Sequence, residues 1–201
     1  MSIDFDFFSR VIAGIVRDIA SDQIILEGNI LSGCNNKTSK IILRNKLNID
    51  ILSQLAYMAQ NISSSQMQAS SLLKSIEFST HPFDSKVLKF NIDRNKPLLD
   101  VLVDRDILVS VLRILFCLLK YENPQIKDLG ISLRRRGGYV SMRVESAYPK
   151  IDIAYVEDLV TLINSVLGLY GAKLEWRVLS GKRIAYVRLL LAKQISLGYN
   201  S

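Results

Sequence analysis

Arg17 and Asp18 stand side by side in Val16-Arg17-Asp18-Ile19-Ala20-Ser21, inside the first long amphipathic stretch of the chain. A guanidinium binds carboxylate or phosphate oxygens through paired N–H donors, and a carboxylate beside a reactive group orients or deprotonates it. Arg10, Gly14, Ser21 and Gly28 share the helical face of Arg17, at offsets of seven, three, four and eleven residues. A polar face with small residues on an otherwise apolar helix suits a surface that receives a docking partner. The other candidate groups read more plainly. His81, the only histidine, precedes Pro82 and reads as a structural or hinge residue. Cys34 and Cys117 are far apart without ligand-like spacing, so no metal site is expected, and Cys117 reads as a buried thiol in an apolar helix. Trp176 reads as the core side of a strand. Arg134-Arg135-Arg136 with Tyr139 reads as a solvated hairpin edge that discourages strand pairing between molecules. Nucleic acid is not expected there, because no stacking platform or recognition motif accompanies the arginines.

The elements that must position Arg17 begin with a helix over Phe5–Leu31. Its apolar residues fall at Phe5, Phe8, Ile12, Ile15, Ile19 and Leu26, and Gly33 supplies the stop. A second helix is expected from about Ser39 to Ile76, with the stripe Leu52, Leu55, Ala59, Ile62, Gln66, Ala69, Leu73 and Ile76. Each would reach roughly 40 Å or more. A short loop makes them an antiparallel hairpin, and two such hairpins make a homodimeric four-helix bundle. A hairpin packed on its own C-terminal domain is the alternative. Thr80-His81-Pro82-Phe83 ends the helical pattern and divides the chain into a hairpin domain, residues 1–80, and a second domain, residues 83–201. Strands are expected over 86–92 and 98–103, then a helix over 105–121 capped by Asp104. Strands over 129–135 and 139–145 join across Arg136-Gly137-Gly138, a helix over 153–170 ends at Gly171, and a last hairpin spans 173–179 and 183–191. The fold class is α+β: a long helical hairpin, then a two-layer α/β sandwich with antiparallel strands.

Composition narrows the partners. A chain of 201 residues with a net charge of +7 favours an acidic partner: nucleic acid, an anionic membrane surface or an acidic pocket on another protein. Asp4 and Asp6 stand where a secretory signal would be basic. The longest apolar run, 107–119, is interrupted by Arg113 and is far short of the ~20 residues that span a bilayer. A cytoplasmic protein that uses no membrane is the expectation.

A helical hairpin followed by such a sandwich resembles the core of a sensor histidine kinase. Asp104-Arg105-Asp106-Ile107-Leu108, Val111-Leu112 and Lys120-Tyr121 resemble the opening and close of the kinase N-box helix. Tyr170-Gly171-Ala172-Lys173-Leu174 is similar to the step after the last helix, and Gly181 with its strand to the terminal hairpin. The resemblance implies the histidine-kinase ATPase-like topology over about residues 86–191, but its nucleotide chemistry is missing. Ile114, Leu115, Phe116, Cys117 and Leu118 offer no oxygen ligand for Mg²⁺ where the family uses asparagines. Glu145-Ser146-Ala147-Tyr148-Pro149 lacks the glycines of the adenine box, no room is left for an ATP lid, and Tyr155-Val156-Glu157-Asp158 replaces a glycine-rich phosphate loop. No ATP and no other cofactor is expected.

The combination resembles the ChpT histidine phosphotransferases of alphaproteobacteria, ATP-free dimers built like shrunken kinases that relay phosphoryl groups between receiver domains. Val16-Arg17-Asp18-Ile19-Ala20-Ser21-Asp22 is similar to that family's Cys-His-Asp-Leu-x-Ser-Pro, and Gly28-Asn29 stands near its later Asn-Gly. Arg17 stands at the phosphoacceptor histidine and Asp22 at the proline. A guanidinium has no lone pair to offer and cannot accept a phosphoryl group, but it can bind an acidic pocket or phosphoaspartate. The resemblance therefore implies a homodimer that docks response-regulator receiver domains through Arg10, Gly14, Arg17, Asp18 and Ser21, with no catalytic residue of its own. A catalytically inert scaffold for another acidic protein is the alternative, and a residual ATP-binding kinase module the third.

Overall fold

The computed structural model describes residues 5–32, 35–62, 69–80, 88–91, 99–120, 129–146, 155–179 and 182–192. Two 28-residue helices, α1 (Phe5–Ser32) and α2 (Asn35–Ile62), pack together as the expected hairpin. The buried side chains between and beneath them are Val11, Ile15, Leu47, Ile51, Leu55 and Met58. Of the expected α1 stripe, Ile15 is fully buried whereas Phe8, Ile12, Ile19 and Leu26 are only half-buried.

The second helix does not continue to Ile76. It ends at Ile62, and after a segment outside the described residues come β1 (Ala69–Ser71) and α3 (Leu72–Thr80). Tertiary pairing overrides the helical period here: β1 lies antiparallel to β3 (Asp100–Leu102), with Ala69 opposite Leu102 and Ser71 opposite Asp100. Ser70 donates from its hydroxyl to the Val103 carbonyl at 2.7 Å, and the Leu72 amide donates to Leu99 at 3.0 Å. Residues 69–80 thus pair with elements that follow them, β3 and α4 (Arg105–Lys120).

α4 is the central element. Its first turn is capped as expected: Asp104 Oδ1 accepts from the amides of Asp106 at 2.9 Å and Ile107 at 3.1 Å. Ile107, Leu108, Val111, Leu112, Ile114, Leu115, Phe116, Leu118 and Leu119 are buried on every side of it. A narrow stripe of Asp106, Arg113 and Cys117 is less covered, and the apolar rest of the helix must be packed against neighbours. α2 and α3 cover one side, and the sheet covers the other through β5.

That sheet has five strands in the order β2 (Leu88–Asn91), β4 (Leu129–Arg136), β5 (Tyr139–Ser146), β7 (Lys182–Leu190) and β6 (Lys173–Leu179). Four are antiparallel as expected, but β2 runs parallel to β4, so the sheet is mixed. The β4–β5 turn needs Gly137, which sits at φ +57°, and α5 (Val156–Gly168) is closed by Gly171 at φ +64°. Asn164 clamps α5 to β6: its side-chain amide donates to the Leu174 carbonyl at 2.9 Å and its Oδ1 accepts from the Leu174 amide at 2.7 Å. The hairpin docks on this α/β unit, α2 against α4 and α1 against α5. The apolar stripes are therefore satisfied in part within one chain.

Candidate functional site

α1 carries all five expected docking residues. Arg10, Arg17 and Ser21 are exposed, Asp18 is half-buried, and Gly28 further along the face is exposed. The helical period puts Arg10, Gly14, Arg17 and Ser21 in one row, with Asp18 next to it.

Gly14 has a neighbour within the chain. A Cβ added there would lie 3.1 Å from Cβ of Tyr155, the residue that opens α5. The absence of a side chain lets the two helices cross at this point. Tyr155 is buried and donates its hydroxyl to Oδ1 of buried Asn48 on α2, at 2.5 Å. One tyrosine thus ties α5 to both arms of the hairpin. Arg10 and Arg17 lie about one turn to either side of the crossing, so two cations flank a fixed helix junction.

A second polar contact fixes the hairpin. Asp22 is completely buried, and its carboxylate is held by Arg44 of α2, with Nε donating to Oδ2 at 2.7 Å and a second guanidinium nitrogen contacting Oδ1. The fork geometry suits a bidentate pair. The sequence does not single out Arg44 or Asn48, and it marks Asp22 and Tyr155 only as departures from the family pattern, not as packing residues. The pattern does carry a trace of Asp22: it follows Val11 and Ile15 at eleven and seven residues, on the buried side of α1.

The α4 residues that stand where the resemblance puts oxygen ligands offer none. Ile114, Leu115, Phe116 and Leu118 of α4 are buried in the core, and Cys117, expected to be buried, is only half-buried and is in no disulfide. At the end of β5, Ser146 pairs in register with Arg183, which is only 4% exposed. By strand alternation Arg183 shares the side of Ala185, Val187 and Leu189, the side that faces the helices. A buried arginine thus stands beside the strand end from which the adenine box would continue. His81, Cys34 and residues 147–154 lie outside the described residues. Among the described residues no group of His, Cys, Asp and Glu could hold a metal ion, and no helix is long and apolar enough to cross a membrane. Trp176 packs against the core from β6, as expected, and Arg134, Arg135 and Arg136 are exposed at the β4–β5 tip.

What α1 can do chemically is bind oxyanions. Exposed guanidinia with Asp18 beside them offer forked donors and a carboxylate, and Arg17 supplies no nucleophile.

A helical hairpin packed on an α/β layer of this topology is the fold of histidine-kinase cytoplasmic cores. The structure of the Acinetobacter baumannii histidine kinase AdeS superposes with a TM-score of 0.53 at 14% identity, over 86% of this chain and 96% of that one. The cytoplasmic segment of histidine kinase QseC is similar with a TM-score of 0.47 at 15% identity, over 62% of this chain and 78% of that one. The histidine kinase domain of the E. coli osmosensor EnvZ has a TM-score of 0.47 at 9% identity, over 64% of this chain and 90% of that one. No protein-family model and no curated protein matches the sequence. At such identities the likeness is one of fold.

Proposed function

We propose that this chain is a ChpT-like protein of a two-component phosphorelay: a homodimer that docks response-regulator receiver domains without binding ATP. The observation that carries the proposal is Arg17, an exposed guanidinium on the first hairpin helix of a histidine-kinase fold, at the position that resembles the phosphoacceptor. Arg10, Arg17, Asp18 and Ser21 supply the contact to the receiver's acidic surface, and the Gly14–Tyr155 crossing holds them in place. The apolar face of α4 and the buried Arg183 support the absence of nucleotide chemistry. In this reading the hairpin unit dimerises and docks, and the kinase-like unit buttresses it.

Dimerisation is supported by what the hairpin leaves uncovered. Val16, Ile24 and Ile25 on α1 and Ile42 and Ile49 on α2 are exposed, Ile24 at 71% and Ile49 at 57%. Ile42 and Ile49 are seven residues apart, the repeat of a helix-bundle seam. A second copy, bringing the same stripe, would cover them.

The test is incubation with receiver domains, phosphorylated and not, followed by size-exclusion chromatography. Co-elution with no label on this chain is the expected result. No co-elution with any receiver, together with binding of another acidic protein, would favour an inert scaffold instead. Calorimetric ATP binding in the micromolar range would overturn the nucleotide-free reading.

A further inference from the structure

The outer face of the five-stranded sheet, on the side away from the helices, concentrates charge that docking at α1 does not use. Strand alternation assigns the two faces. Val140, Met142 and Val144 of β5 and Ala185, Val187 and Leu189 of β7 are buried toward the helices. Their neighbours, Tyr139, Ser141 and Arg143 on β5 and Tyr186 and Arg188 on β7, therefore look outward. The pairing register then sets the rows. Arg134, Ser141, Arg188 and Lys173 lie across one row, and Arg136, Tyr139 and Leu190 across the next.

The two ends of this face differ. Toward the far end the charges neutralise one another: Arg143 meets Glu145 at 2.6 Å and Arg177 meets Glu175 at 2.5 Å, and Glu175 also reaches back at 3.8 Å to Lys173 of the Arg134 row. At the β4–β5 end Arg134 and Arg136 are exposed, and no salt bridge to either is found among the described residues. Arg188 is held over the ring of Tyr139 at 4.9 Å. A guanidinium on an aromatic ring is positioned in advance while its N–H fork stays available to a carboxylate, and pairing costs it less side-chain freedom.

We propose that the Arg134–Arg136–Arg188 end of the outer sheet face is a second docking surface, fitted to a carboxylate-rich protein surface and separate from the α1 site. Arginine and tyrosine at the centre, with few lysines, is the make-up of protein–protein interfaces. The features that nucleic acid needs are lacking. Arg188 lies over the Tyr139 ring and Arg177 over the Tyr186 ring, so one face of each is already taken by a cation instead of a base. Glu145 and Glu175 also interrupt the positive track within two rows. α5 and the sheet lie between this face and α1, so a partner on one leaves the other free.

The test uses the whole chain with fluorescent poly-L-glutamate at low salt, beside oligothymidylate of equal charge and phosphatidylglycerol vesicles. Poly-L-glutamate is expected to bind more tightly than either of the other probes. Arg134→Glu with Arg136→Glu should weaken it by about tenfold or more, whereas Lys46→Glu with Lys74→Glu, the same charge change elsewhere, should weaken it less than about threefold. Arg134→Gln with Arg136→Gln gives an intermediate loss with less risk to folding, checked by circular dichroism. Equal loss from the two Glu pairs, tighter binding of oligothymidylate or vesicles, or no poly-L-glutamate binding would overturn the proposal. Receiver binding at α1 should be unchanged in Arg134→Gln with Arg136→Gln, so the two docking proposals succeed or fail separately.

Discussion

The hairpin and the α/β unit bury their apolar residues in different ways. In the α/β unit α4 is buried except along the stripe of Asp106, Arg113 and Cys117, and the inner faces of β5 and β7 are closed by helices. In the hairpin, buried residues on α1 alternate with exposed ones, a carboxylate sits at full burial, and five aliphatic side chains from Val16 to Ile49 face outward. The first region is a finished core. The second keeps an incomplete apolar face and a row of cations, the surface on which the proposed dimerisation and docking rest.

The contrast sets the size of mutational effects. Leu112→Ala, deep in α4, should lower unfolding stability by about 2–5 kcal/mol in urea denaturation, while Ile49→Ala in the monomer should stay within ~0.5 kcal/mol. Equal losses at the two sites would erase the distinction. Arg44→Ala should cost about 3–5 kcal/mol, because it leaves the Asp22 carboxylate buried without its partner. Replacing both, Asp22→Leu with Arg44→Met, should recover most of that loss. Failure to recover would mean that the pair contributes more than mutual compensation.

A smaller effect lies where the regions meet. Partial desolvation of the Tyr57 phenol, which stays 44% exposed, and then the nearby Asp106 carboxylate raise its pKa above the ordinary 10.0. Folding therefore favours the protonated phenol. Its contribution is complete below pH 10 and is lost as pH rises through the folded-state value. Tyr57→Phe should flatten the alkaline limb of the stability profile and leave the neutral region unchanged. An identical alkaline limb in the variant would remove Tyr57 from the α2–α4 contact.

The same contrast decided what the sequence disclosed. Local signals sufficed for α4 with its Asp104 cap, for the turn at Gly137 and for the end of α5 at Gly171, since each is written within a few residues. The break after Ile62 and the parallel β2–β4 pair depend on partners about thirty or more residues away, which periodicity does not encode. Within the site, the row from Arg10 to Ser21 was legible as a helical face. Its support was not, because Gly14 meets Tyr155, and Asp22 meets Arg44, only once the helices have packed.

The most direct measurement is transfer of labelled phosphate from a phosphorylated receiver to the wild-type chain and to Arg17→His. The wild type should bind the receiver and take no label, and Arg17→His should take label at residue 17, showing that only the nucleophile is missing. Label on the wild type, or an Arg17→His chain that binds the receiver yet stays unlabelled, would contradict that account.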